Sequence, residues 1–236
     1  MRLLVTPDYE TLSGEAAAIV VKSLRLKASL TLGLPTGQTP LGMYEELIRN
    51  YRSQIADFSA VTTFNLDEYL GLLPSDHRSF HAYMRSRFFD HINVDPHNIH
   101  IPGCSSEIAI AAECERYETL IQQCGGIDLL IVGIGTNGHI AFNEPGSPLD
   151  SRTRVVTLAP ETIQTTGKDM PDRAITMGVG TILEARKILL LASGAKKAEI
   201  VRRALRGRVT EAVPASALQL HSDVIVMIDE NCKRGL

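Results

Sequence analysis

The amino-acid sequence predicts an α/β protein, an open and mainly parallel sheet with helices on both faces. Three observations carry that expectation. Short runs that are apolar at nearly every position recur along the chain, such as IDLLIVG at 127–133 and VIVMID at 224–229. That is the pattern of strands covered on both faces. Longer segments with apolar residues at helical spacing lie between them. At 236 residues the chain can bury one sizeable core, and no repeat, low-complexity tract or linker divides it. One domain spanning 1–236 is expected.

The elements follow in order. A weak strand is expected at 2–5, then a helix over 10–26 with apolar positions at Leu12, Ala16, Ile19, Val20 and Leu24. A strand at 29–34 leads to a helix at 40–50, and a strand at 61–66 to helices at 78–91 and 107–123. The run 127–133 is a strand, 174–178 a weaker one, and 180–185 a short helix. A strand at 187–193, a helix at 195–206 and a strand at 224–229 complete the alternation.

Composition narrows the classes. Hydrophobic residues make up 44% and charged residues 22%, as in soluble globular proteins. The net charge of −3 gives no support for nucleic-acid or acidic-membrane binding, so any attraction for an anion must be local. No apolar run approaches the roughly 20 residues that span a bilayer, and the opening MRLLVTPDYE lacks a signal-peptide pattern. Cys104, Cys114, Cys124 and Cys232 form no C-x-x-C pair, so free thiols in a reducing cytoplasm are expected, with no zinc ribbon or disulfide framework.

In such sheets ligands bind outside the carboxyl ends of the strands, and three loops at those ends stand out. In LGLPTGQTPLGMY, 32–44, Thr39 suits a helix N-cap and Pro40 the first helical position. Free amides there, with the hydroxyls of Thr36 and Thr39, would cradle an anion; a plain strand-to-helix turn is the alternative. In FNLDEYLGL, 64–72, Asp67 and Glu68 follow a strand directly, as a general base or as a cap or solvated acid.

The third loop, IVGIGTNGHIAFNEPG at 131–146, contains G-x-G-x-x-G (Gly133, Gly135, Gly138). A dinucleotide fingerprint needs those glycines to open a long helix, with an acid about 20 residues on. Here Pro145 and Pro148 end any helix almost at once, so the match is accidental. The loop instead offers His139 and Glu144 with Asn137 and Asn143 beside them. A histidine oriented by a carboxylate suits proton transfer near neutral pH. His77 and His81 could share a helix face, but no third ligand is evident and no metal site is expected. Lys196 or Lys197, after the strand at 187–193, could reach an anion in the same cleft.

Together these segments resemble the glucosamine-6-phosphate deaminase/isomerase family, of the 6-phosphogluconolactonase superfamily. GLPTGQTP (33–40), FNLDEYLGL (64–72) and GIGTNGHIAFNEPGS (133–147) carry the likeness. SRTR (151–154), ITMGVGTILEA (175–185), SGAKKAE (193–199) and PASALQLHSD (214–223) extend it over essentially the whole chain. The segment after His139 separates deaminases from lactonases. The resemblance implies a Rossmann-like fold and a cofactor-free conversion of glucosamine 6-phosphate to fructose 6-phosphate with release of ammonia. It implies that His139 opens the sugar ring, that Glu144 and Asn137 orient it, and that Asp67 moves the C2 proton to C1 through an enolamine. Thr36, Gly37, Gln38, Thr39 and Lys197 would hold the phosphate.

The sequence also departs from the family pattern. Asn137 stands where long members have an aspartate, and the phosphate-gripping arginine of those members is missing, Lys168 being the nearest basic residue. The shortened 162–174 segment is similar to the galactosamine-6-phosphate branch, which would give tagatose 6-phosphate. Ser147 and Arg154 match the family's effector site but Val156 replaces its lysine, so no activation by N-acetylglucosamine 6-phosphate is expected. The other readings are a lactone hydrolase and a non-catalytic sugar-phosphate sensor; FNEPG and the set Asp67, His139 and Glu144 speak against them. A monomer or small homo-oligomer is expected, with 72–81 and 147–173 as candidate lids.

Overall fold

The computed structural model describes residues 1–103, 109–159, 162–163 and 169–233. Its strands are β1 (Arg2–Thr6), β2 (Thr31–Leu34), β3 (Thr62–Asn65), β4 (Asp67–Tyr69), β5 (Ile99–His100), β6 (Leu129–Gly133), β7 (Arg154–Thr157), β8 (Arg173–Thr176), β9 (Ile188–Ala192) and β10 (Val224–Asp229). The helices are α1 (Tyr9–Leu26), α2 (Leu41–Arg52), α3 (Phe80–Arg87), α4 (Ile110–Gln123), α5 (Val179–Leu183) and α6 (Ala198–Arg206).

Seven strands form one parallel sheet in the order β1-β10-β9-β6-β2-β3-β5. Its side chains alternate between two cores, as the period-2 geometry of a strand demands. Leu129, Ile131, Leu189, Leu191, Ile225 and Met227 pack under α1, α2 and α3. Leu130, Val132, Ile188, Leu190, Val226 and Ile228 pack under α4, α5 and α6. This double burial is why the sequences of β6, β9 and β10 are apolar at nearly every position. Strand order also sets the place of the site. After β2 the chain builds outward through β3 and β5, then returns to the other side of β2 as β6. The sheet therefore reverses direction between β2 and β6, and a crevice opens at their carboxyl ends.

Several elements differ from the sequence expectation, each for a physical reason. The helix expected over 78–91 ends at Arg87, because Phe88 leaves the helix (φ −147°) to bury its ring against Tyr44 and Phe58. The helix expected over 195–206 begins at Ala198, after a single 3-10 turn at Ala195–Lys197. Thr39 does not cap α2; Pro40 takes the cap position and no side chain caps it. The two first-turn donors that Thr39 would serve are already taken, Leu41 N by the Gln38 carbonyl and Gly42 N by the Tyr9 hydroxyl. The weak strand expected over 174–178 is β8, Arg173–Thr176, and it lies outside the parallel sheet. With β4 and β7 it makes a second, antiparallel sheet in the order β4-β8-β7, in which Asp67 and Arg154 both stand opposite Thr176. β4, β5 and β7 have only two to four residues each, too short for an alternation to show in the sequence.

Candidate active site

The crevice holds a cavity of about 350 Å³. Its walls are the 35–40 loop after β2, Leu66 and Asp67 after β3, and residues 132–136 with His139, Ala141 and Phe142 after β6. Phe80 of α3 and Lys197 close the sides. Three loops far apart in sequence thus meet where the sheet reverses.

Asp67 and Glu68 part company because they are neighbours on a strand, where successive side chains point to opposite faces. Asp67 lines the cavity and is 6% exposed. No described group donates a hydrogen bond to its carboxylate. Burial, and then the charge of Glu68 beside it, raises its pKa to about 8. Glu68 turns the other way and caps α3. It accepts from Phe80 N and His81 N at 2.9 Å and from Tyr69 N at 2.8 Å, with His81 Nδ1 also at 2.9 Å. Of the two acids only Asp67 is placed to act on a ligand. The same contact accounts for His81, while His77 is almost wholly exposed. No group of residues suited to a metal ion occurs among the described residues.

His139 sits over Gly135 so closely that a Cβ there would lie 2.1 Å from its ring, so only glycine fits. No helix follows Gly138 before Pro148, as the two prolines require. Nδ1 of His139 is buried without a hydrogen-bond partner, 3.5 Å from Glu144 Oε2. That is an electrostatic contact rather than a formed hydrogen bond. Asn137 links the two residues. Its Nδ2 donates to Glu144 Oε2 at 2.6 Å and its Oδ1 accepts from His139 N at 3.1 Å. Burial disfavours the charge on Glu144, but His139, the Thr162 hydroxyl and Asn137 outweigh it and hold the pKa at about 2. Asn143 serves the loop itself: fully buried, it donates to the carbonyls of Ile140 and Met177 and accepts from Arg154.

In the loop after β2, the amides of Thr36, Gly37, Gln38 and Thr39 donate to no described group, and these residues line the cavity. Lys197 joins them from the turn after β9, where Asp229 accepts from Ser193 Oγ and Gly194 N. Its Nζ donates to the Ile134 carbonyl at 2.6 Å, and burial lowers its pKa from the usual lysine value. Lys196 does not reach the cavity. Lys168 and Cys104 lie outside the described residues. The structure thus brings together Asp67, His139, the 36–39 loop and Lys197 around one space, with Asn137 and Glu144 behind His139.

Sequence reasoning did not find Thr162, Phe80 or Phe142. In the 162–174 segment no pattern marks Thr162 above the other threonines, and the two rings read as ordinary apolar residues. They stack on each other with centroids 5.9 Å apart and, with Tyr69, form a small core that also walls the cavity.

A family model described as glucosamine-6-phosphate isomerases/6-phosphogluconolactonase matches residues 8–227. A glucosamine-6-phosphate deaminase of a Thermoanaerobacter species is 48% identical, over 98% of this chain and 93% of that protein. One from Bacillus velezensis is 47% identical over the full length of both. A solved structure described as a monomeric glucosamine-6-phosphate deaminase superposes with a TM-score of 0.95 at 46% identity, covering 98% of each chain. The 6-phosphogluconolactonase of Trypanosoma cruzi, 21% identical, covers all of this chain and 96% of its own with a TM-score of 0.80, and shares the fold alone. By the extent of the family match and the identity to these relatives, the chain belongs to the glucosamine-6-phosphate isomerase/6-phosphogluconolactonase family.

Proposed function

We propose that this protein converts glucosamine 6-phosphate and water to fructose 6-phosphate and ammonia, without a cofactor. The observation that carries the reading is the shared cavity, lined by a carboxyl group, an imidazole, a loop of free amides and a lysine. The deaminase relatives support the same substrate.

In this reading the sugar phosphate lies against the amides of Thr36, Gly37, Gln38 and Thr39 and the Lys197 ammonium. A dianion there supplies the charge that makes burying Lys197 favourable. Binding energy at the phosphate aligns C1 and C2 with the acid-base groups. His139 moves the proton between the anomeric hydroxyl and the ring oxygen as the ring opens, with Glu144 and Asn137 fixing its orientation. Asp67 removes the C2 proton and returns it to C1. The bond order at C1–C2 shifts through an enolamine, and water then adds to the C2 imine and displaces ammonia. The amino group of the bound sugar, as an ammonium beside Asp67, favours the ionised carboxylate that proton removal needs. The reading includes one domain over 1–236, a cytoplasmic location, and action as a monomer without nucleic-acid partners.

Ammonia release with glucosamine 6-phosphate and galactosamine 6-phosphate, in wild type and Asp67→Asn, tests it. The expected result is turnover of the gluco sugar and a loss of about 10³-fold or more in the variant. Turnover of the galacto sugar alone overturns the substrate assignment. Turnover of neither overturns the reaction.

A further inference from the structure

The 35–40 loop carries a feature that the reaction itself does not explain. Three phenol hydroxyls, from three different helices, donate to its carbonyl groups. Tyr44 of α2 donates to Pro35 O at 2.5 Å. Tyr83 of α3 donates to Gly37 O. Tyr9, the first residue of α1, shares its hydroxyl between Gln38 O and Thr39 O at 3.1 Å each, and accepts from Gly42 N at 2.9 Å.

A trans peptide holds its C=O and the following N–H antiparallel, and the described residues contain no cis bond. Fixing the carbonyls of Pro35, Gly37 and Gln38 against the helices therefore turns the amides of Thr36, Gln38 and Thr39 the opposite way. Those three amides have no described acceptor, and their residues line the cavity. Gly37 allows the turn, with φ +94°. Gly42 allows the approach of α1 that brings Tyr9 in, since a Cβ there would fall 2.3 Å from Ser13 Oγ. A backbone donor is worth most to an anion when it is already aimed and costs nothing to order on binding.

From these contacts the geometry points to Tyr83 and Tyr9, with Tyr44, as positioning residues that pre-aim the anion-binding amides of the loop without touching the ligand. This rests on the reading of the loop as the phosphate seat. The role suits a site that has one described lysine and no arginine lining it. It also gives a purpose to Tyr9, a ring over a third exposed whose hydroxyl makes three contacts to the loop and the start of α2. Burial raises the phenol pKa of Tyr83 and of the fully buried Tyr44 above the ordinary value, so both remain protonated donors across the working pH range.

The test uses the full-length chain as wild type, Tyr83→Phe, Tyr9→Phe and the doubly substituted protein. Calorimetry gives the Kd for inorganic phosphate, and ammonia release gives kcat and KM for glucosamine 6-phosphate. The expected result is that Kd and KM rise together, about fivefold in each single variant and about twentyfold in the double, while kcat changes less than twofold. Phosphate affinity equal to wild type in both single variants overturns the positioning role and leaves the proposed function standing. A fall in kcat with phosphate affinity intact overturns it as well. A wild type that neither binds phosphate nor releases ammonia overturns the proposed function and the positioning role with it. Should Tyr9→Phe fail to fold, Tyr83→Phe decides alone, because among the described residues its hydroxyl bonds only the Gly37 carbonyl, and the substitution retains its ring.

Discussion

Asp67 is the residue whose chemistry depends most on where the chain places it. A carboxyl group in water has a pKa near 4, whereas burial and the neighbouring Glu68 charge raise that of Asp67 to about 8. A general base works only when ionised, so kcat/KM should fall as pH drops through about 8. The kcat profile should fall at lower pH, since the substrate ammonium stabilises the carboxylate in the complex. A pH–rate series of both constants checks this; coincident limbs would refute the ammonium's part. Stability carries the opposite sign. Because the folded pKa is raised, the contribution of Asp67 is fully present below about pH 4 and is lost as pH rises through about 8. An asparagine side chain cannot ionise, so Asp67→Asn should unfold at higher temperature than wild type at pH 8–9, by roughly 1–3 kcal/mol in stability, while being inactive. Thermal melts at pH 5 and pH 9 read the difference directly.

At the scale of elements, α3 links the second sheet to the cavity. Its own sequence is a poor helix start apart from Ser79, whose hydroxyl accepts from Ala82 N at 3.0 Å. Glu68, from β4, accepts two more of its first amides. The helix delivers Phe80 to the cavity wall and Tyr83 to the 35–40 loop. Glu68→Gln keeps the shape but leaves buried amides short of acceptors, and should cost about 1–3 kcal/mol in urea unfolding. It also removes the charge that adds to burial in raising the Asp67 pKa, so the acid limb of kcat/KM should move to lower pH. A variant that loses stability with no movement of that limb would separate the two roles and refute the electrostatic one. This pairing was half legible: the family resemblance singled out Asp67 of the two acids after the strand, but nothing local gave Glu68 its place at the start of α3, which the alternation of β4 decided.

Over the whole molecule, no helix among the described residues is long and apolar enough to cross a membrane. A second cavity of about 300 Å³ lies near Glu144, Ser147, Arg154 and Val156. There Arg154 donates to Asn143 Oδ1 at 2.8 Å, and Val156 stands where the family resemblance implies a lysine in members with an effector site. Saturation by glucosamine 6-phosphate should therefore be hyperbolic and unchanged by N-acetylglucosamine 6-phosphate. Sedimentation should show one monomeric species, with or without substrate. Sigmoidal kinetics relieved by that ligand would contradict the first expectation and a substrate-dependent dimer the second.

What the sequence determined by itself is what local pattern can encode. Strands buried on both faces announce themselves by continuous apolar runs, and amphipathic helices by their spacing, so the α/β class and the order of the main elements were legible. So were the loops that hold Asp67, His139 and Lys197, because glycine, proline and polar residues interrupt those runs. Tertiary structure alone decided the rest. The direction each acid faces follows from a three-residue strand too short to leave a period. The support of Glu144 by Thr162 joins residues 18 positions apart, and the Tyr83 contact with the loop spans 46. Such contacts carry no local signal, because chain folding, rather than spacing along the sequence, brings their partners within hydrogen-bond reach.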